Sequence, residues 1–139
     1  MFDWNSEKGK KLAERLRKEE VIWLTTLRAD GTPLPTPVWF LWEGKTILIY
    51  TQPGSLKVRN IARNPKAALN LNCDEAGGSV AIFTGELTFE KDESRALNNP
   101  AYLQKYRQGI SDIQMTPESF SNDFSLALRF HPSRVRSWE

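Results

Sequence analysis

Prolines stand at positions 33, 35 and 37, every second residue of a segment that otherwise reads as a strand. Backbone groups alternate in direction along a strand, so the missing N–H groups all fall on one side. No regular ladder can form there, which puts the segment at a sheet edge or beside a gap. Val38-Trp39-Phe40-Leu41-Trp42 follows directly, bulky and apolar, and carries the strand toward a core. A gap in a ladder lined by aromatic rings is a place where a flat ring system can lie. Protection of an edge against aggregation is the plain alternative.

The remaining segments supply neighbours for that strand. Residues 6–18 read as an amphipathic helix with Leu12, Ala13 and Leu16 on a narrow face, suited to the rim of a larger body. Residues 21–27 are rich in β-branched and aromatic side chains and read as a strand. Asp30-Gly31 then turns the chain antiparallel into the proline strand, residues 34–42. Glu43-Gly44 makes the next turn into a third strand over 45–50, giving a meander. Residues 67–73 alternate as a fourth strand and 79–90 as a long fifth, with Gly85 marking a bend or bulge. Short helical pieces are expected over 92–97, 101–107 and 117–120, the last opened by Thr116 as N-cap and Pro117 as first helical residue. Residues 124–130 have a clear period of two, and 134–138 read as a short closing strand. The expected fold is mainly β within the α+β class, a six-stranded antiparallel barrel with short flanking helices. One domain spans residues 1–139.

Between the third and fourth strands lies a helix of unusual charge. Pro53-Gly54 turns the chain, Ser55 occupies the N-cap position, and Pro65 ends the helix near Asn64. Lys57 and Arg59 fall in or beside the first turn, where the helix dipole favours negative charge. No Asp or Glu occurs from Thr51 to Cys73 to offset them. Free backbone N–H groups, a serine hydroxyl and a lysine at one turn make a phosphate cradle. The competing reading is a solvated basic face.

Other chemistry is sparse. The net charge of +2 is too small to imply a polyanion partner, although five tryptophans keep a small barrel for single-stranded nucleic acid among the alternatives. Cys73 is the only cysteine and His131 the only histidine, which removes an intrachain disulfide and most zinc constellations. The acidic pairs Asp74-Glu75 and Asp92-Glu93 fit solvated turns better than an acid–base couple. No apolar run is long enough to span a bilayer, and a cytoplasmic, soluble protein is expected. No catalytic side chain stands out and no metal is expected. If the chain is an enzyme, a bound cofactor supplies the chemistry.

The order of motifs resembles the pyridoxamine 5′-phosphate oxidase-like superfamily of flavin-binding split β-barrels. The residues that carry the resemblance are Thr26, Asp30-Gly31-Thr32-Pro33, Pro37-Val38-Trp39-Phe40, Thr51, Ser55-Leu56-Lys57-Val58-Arg59-Asn60 and Asn64-Pro65, with a tail Pro132-Ser133-Arg134-Val135-Arg136-Ser137-Trp138 like that of short members. Within the superfamily the chain is most similar to a branch described as deazaflavin-dependent. The resemblance implies a homodimer with cofactor at the subunit interface. By it, Ser55 and Lys57, helped by Thr51, hold the cofactor phosphate, and Pro37, Val38 and Trp39 flank the isoalloxazine ring. Arg136 and Trp138 would reach in from the second subunit. The implied function is an FMN-dependent oxidoreductase passing hydride between flavin and a small organic substrate. A deazaflavin coenzyme is the alternative, its acidic tail met by Arg59, Arg63, Arg134 and Arg136; a non-catalytic flavin or tetrapyrrole carrier is another. Two segments depart from the oxidases proper, which have an Arg in the second strand and a Ser-Arg-Lys triplet. Here those segments read Pro37-Val38-Trp39-Phe40 and Ser55-Leu56-Lys57, and the longer substrate-binding C-terminus is missing, so vitamin B6 oxidation is not expected.

Overall fold

The computed structural model describes every residue, Met1–Glu139. Helix α1 (Glu7–Lys18) is followed by strands β1 (Ile22–Leu27), β2 (Pro33–Val38), β3 (Leu41–Trp42) and β4 (Ile47–Thr51). Helix α2 (Leu56–Arg63) leads to β5 (Lys66–Leu71) and β6 (Val80–Phe89). A 3-10 turn (Ala96–Asn98), α3 (Pro100–Asp112) and α4 (Pro117–Asp123) precede the last strand, β7 (Leu126–Trp138). The strands form one antiparallel sheet of seven, in the order β2-β1-β5-β6-β7-β4-β3.

The sheet has seven strands where a six-stranded barrel was expected: the proline segment does not continue to Trp42 as one strand, while the two strands expected at the C-terminus are one. It breaks at Trp39-Phe40, leaving β2 at one edge of the sheet and β3 at the other. The expected meander is therefore interrupted: β1 and β2 pair, as do β3 and β4, but β2 and β4 do not. Three peptide steps from Val38 to Leu41 span at most about 11 Å. The two edges must lie that close, so the sheet is curled into a half-barrel instead of lying open. The cleft stays free of a ladder for two reasons. The prolines of β2 pair only toward β1, opposite Trp23, Thr25 and Leu27, and they offer no donor outward. β3 is only two residues long.

The break leaves the buried backbone of Phe40 without a strand partner, and α3 supplies the missing groups. Tyr106 Oη accepts from the Phe40 N–H at 2.7 Å, and Lys105 Nζ donates to the Phe40 carbonyl at 2.9 Å. Lys105 also donates to the Leu16 carbonyl at 3.3 Å and lies 3.8 Å above the Phe40 ring. Satisfying both polar groups of a fully buried residue is what permits a non-strand crossover at this depth.

Two cores result. Ile22, Leu24, Phe40, Ile47, Ile49, Leu69, Phe83 and Phe130 fill the inside of the curl, closed at its rim by Leu12 and Leu16 of α1. Leu48, Tyr50 and Ala127 point outward and meet Ala96, Tyr102, Tyr106, Ile110 and Phe120 of the helical insert. β4 is thus buried on both faces, which accounts for its unbroken apolar run. The insert is tied down by Arg129 of β7, whose guanidinium pairs with Glu43, Glu90 and Glu93.

The bulge expected at Gly85 is present, and the extra residue sits opposite it. Gly85 pairs with Pro132 and Thr84 with Arg134, leaving Ser133 over. A Cβ on Gly85 would stand 2.1 Å from the His131 carbonyl oxygen, so only glycine permits this approach. The bulge also lets β7 run through Pro132 as one strand of 13 residues, where two separate strands were expected. α3 is longer than the expected 101–107, and α4 begins on Thr116 with the reciprocal hydrogen bonds of a capping box.

Candidate functional site

The site forms where the β2–β3 break, the end of β4 and the start of α2 converge under the insert. α2 is held to the barrel wall by Ile61 in the core and by fully buried Asn60, whose amide donates to Thr26 Oγ1 at 3.1 Å. Thr26 and Asn60, two residues of the resemblance, therefore act on each other and set the position of the helix. Its first turn carries the groups of interest.

A cavity of about 190 Å³ is lined by Pro37, Val38, Trp39, Tyr50, Thr51, Lys57, Tyr102, Ile113, Phe120 and Phe124. Five residues singled out in the sequence are thus brought to one place: Pro37, Val38 and Trp39 from one edge of the sheet, Thr51 from β4 and Lys57 from α2. Larger surface grooves elsewhere do not contain these residues.

Polar groups at the site lack protein partners. Lys57 is half-buried, and burial alone pushes its ammonium below the usual lysine range, with no carboxylate countering the shift. Thr51 Oγ1 and Ser55 Oγ are both buried without a hydrogen-bond partner. Ser55 is the N-cap of α2 by backbone geometry, yet its side chain makes no cap hydrogen bond. Ser6, Asn99 and Thr116 all cap the helices they precede. The first backbone N–H groups of α2 consequently remain available. Arg59 folds back to the turn, its Nη1 donating to the Gly54 carbonyl at 3.2 Å. Lys57, Thr51 Oγ1, Ser55 Oγ and the N-terminus of α2 have no carboxylate among them, although Ser55 itself does not line the cavity; donors of this kind favour an anion.

The apolar wall is aromatic. Trp39 stacks on Tyr106 at 4.6 Å between ring centroids and on Phe120 at 5.4 Å. Gly109 of α3 admits the indole; a Cβ there would meet Trp39 at 3.2 Å. The insert residues Tyr102, Ile113, Phe120 and Phe124, and Tyr50 of β4, were not among the sequence candidates. Their signal was the unbroken run Ile47-Leu48-Ile49-Tyr50, which demands cover on both faces of a strand, and the aromatic density of residues 102–124.

Arg136 and Trp138 lie elsewhere. Both are exposed residues of β7, opposite Ile82 and Val80 of β6, with the Arg136 guanidinium 5.5 Å from the Trp138 ring. Neither lines the cavity of its own chain. His131 is exposed, its Nε2 3.0 Å from Thr88 Oγ1, and is likewise absent from the cavity wall. No group of His, Cys, Asp and Glu side chains is placed to hold a metal ion, and no helix is long and apolar enough to cross a membrane.

A family model described as pyridoxamine 5′-phosphate oxidase matches residues 9–139. No curated protein matches the chain. Among solved structures, a conserved hypothetical protein from Mycobacterium tuberculosis has a TM-score of 0.76 at 19% identity, over 96% of this chain and 84% of that one. An F420 reductase has a TM-score of 0.67 at 21% identity, over 88% and 94% of the two chains. The heme storage protein HutZ from Vibrio cholerae also reaches 0.67, at 15% identity over 96% of each chain. At such identities these likenesses establish a common fold.

Proposed function

The chain belongs to the pyridoxamine 5′-phosphate oxidase family, and from that premise we propose that it is a cytoplasmic, FMN-dependent oxidoreductase acting on a small organic substrate. The observation that carries this reading is the partnerless set of Thr51 Oγ1 at the end of β4 with Ser55 Oγ and Lys57 at the head of α2. These donors fit a phosphate monoester in number and charge. Pro37, Val38 and Trp39 line the same cavity and would flank the attached ring. FMN, when bound, supplies hydride transfer at its ring; the protein binds, orients and excludes water.

The cavity of about 190 Å³ falls below the ~300–1,000 Å³ usual for a ligand of this kind. This supports a homodimer in which a second copy completes the wall, with exposed Arg136 and Trp138 as the residues that reach across. Sedimentation as a dimer is expected, and a monomer that holds cofactor tightly refutes that assignment.

A second reading keeps the seat and replaces FMN by the deazaflavin coenzyme. The F420 reductase among the similar structures favours it, as does the position of Arg59 at the Gly54 turn, beside the phosphate seat. A tetrapyrrole carrier is less well supported, because His131, the sole histidine, does not line the cavity. The deciding experiment is the absorbance spectrum of the purified protein before and after titration with each coenzyme. Flavin bands and saturable FMN binding support the first reading, and binding of deazaflavin alone supports the second. A protein that takes up neither refutes both.

A further inference from the structure

One polar side chain among those lining the cavity is not used by the proposed phosphate seat. Tyr102 of α3 lines the cavity and is fully buried, edge-on to Tyr50 at 4.8 Å and stacked near Phe120 at 6.0 Å. Its Oη has no hydrogen-bond partner in the protein. The neighbouring phenols are both satisfied. Tyr50 Oη donates to the Ser94 carbonyl at 2.6 Å and accepts from Asn99 Nδ2 at 3.0 Å. Tyr106 Oη lies between the Phe40 N–H and the Glu20 carbonyl, at 2.7 Å from each.

A buried hydroxyl without a partner destabilises a fold, and phenylalanine offers the same ring without that penalty. Keeping tyrosine at such a place is understandable when the partner arrives with a ligand, because binding sites are where stability is given up for function. We infer that Tyr102 Oη donates a hydrogen bond to a neutral acceptor, a carbonyl oxygen or ring nitrogen, on the planar ligand held against Pro37–Trp39. The inference rests on the cofactor reading above and divides the labour within it: Lys57 recognises the phosphate and Tyr102 the ring. Burial pushes the Tyr102 phenol further above its ordinary range, so it stays protonated and serves as a donor at any working pH. A planar ring with no acceptor at its edge leaves this hydroxyl unpaired and binds more weakly.

The test compares wild type, Tyr102→Phe and Lys57→Ala in two measurements. Thermal unfolding of the ligand-free proteins should show Tyr102→Phe melting about 2–6 °C above wild type, the shift expected on removing an unpaired buried hydroxyl. Fluorescence titration should show Tyr102→Phe losing about 3- to 10-fold in affinity for FMN and for riboflavin alike, the size of one neutral hydrogen bond. Lys57→Ala should lose affinity for FMN only. A Tyr102→Phe variant that binds riboflavin as tightly as wild type overturns the inference. So does one that melts lower without ligand, which marks the hydroxyl as satisfied by an ordered water. A wild type that binds neither FMN nor riboflavin ends the FMN reading on which the inference rests, an outcome distinct from a wild type that binds both while Tyr102→Phe matches it.

Discussion

Lys57→Ala isolates the electrostatic part of the proposed seat. The ammonium is half-buried before any ligand arrives, and no carboxylate pairs with it. Part of the cost of desolvating and ordering the side chain is therefore already incurred in the free protein. What the phosphate gains from it is close to the full worth of a charge-assisted hydrogen bond, about 1.5–3 kcal/mol. That corresponds to a loss of about 10- to 150-fold in FMN affinity. Riboflavin carries no phosphate, so its affinity should be unchanged. The free protein should not suffer, since the substitution removes a charge that burial disfavours. Titrations of FMN and riboflavin against both proteins give all four affinities. Equal losses for the two flavins would place the effect on the ring or on the fold, and no loss for FMN would remove Lys57 from the site.

Tyr106→Phe strips the acceptor from the buried Phe40 N–H and should cost about 1–3 kcal/mol in urea unfolding; a change under about half a kcal/mol refutes the clamp on the crossover. Gly85→Ala forces a Cβ to within 2.1 Å of the His131 carbonyl oxygen. It should destabilise the fold by at least about 1–3 kcal/mol, and an unchanged melting temperature contradicts the bulge geometry. Burial lowers Lys105 to about 8 in the folded chain, against an ordinary value of 10.5. Between those values the unfolded chain binds more protons, so stability rises with pH from about 8, by no more than about 3 kcal/mol. The two carbonyls and the Phe40 ring that hold the ammonium reduce that gain. Tyr50, Tyr102 and Tyr106 are all raised by burial, so above about pH 10 the sign reverses, because the unfolded chain releases protons that the fold retains. Chemical unfolding from pH 7 to 11 checks both limbs; Lys105→Met should weaken the rising one, to which Lys57 also contributes, and a fall in wild-type stability from pH 8 upward refutes this assignment.

Local chemistry in the sequence located the elements that depend on it. The Pro33–Pro35–Pro37 spacing implied an edge strand, and β2 is one. Ser55 and Pro65 bounded α2, Gly85 marked the bulge, and Thr116 with Pro117 opened α4. What local reading missed was set by contacts distant in the chain. The strand through Trp42 breaks at Trp39-Phe40 because α3, more than sixty residues later, brings Tyr106 and Lys105 to the Phe40 backbone. β7 continues past Pro132 because Gly85 faces it at a bulge. Ser55 and Lys57, proposed for the phosphate, stood out in one contiguous segment, and Thr51 entered through the family resemblance. The half of the site built by Tyr102, Ile113, Phe120 and Phe124 depends on how the insert folds over β4, and only the tertiary structure reveals it.

The head of α2 is proposed to seat the phosphate of a flat, ring-bearing cofactor. A crystal structure of the protein grown with FMN tests it most directly. The account predicts phosphate oxygens about 2.7–2.9 Å from Lys57 Nζ, with Ser55 Oγ and Thr51 Oγ1 also bonded and the ring against Pro37–Trp39. A phosphate directed into solvent, or a flavin bound away from this cavity with Lys57 uncontacted, would contradict it.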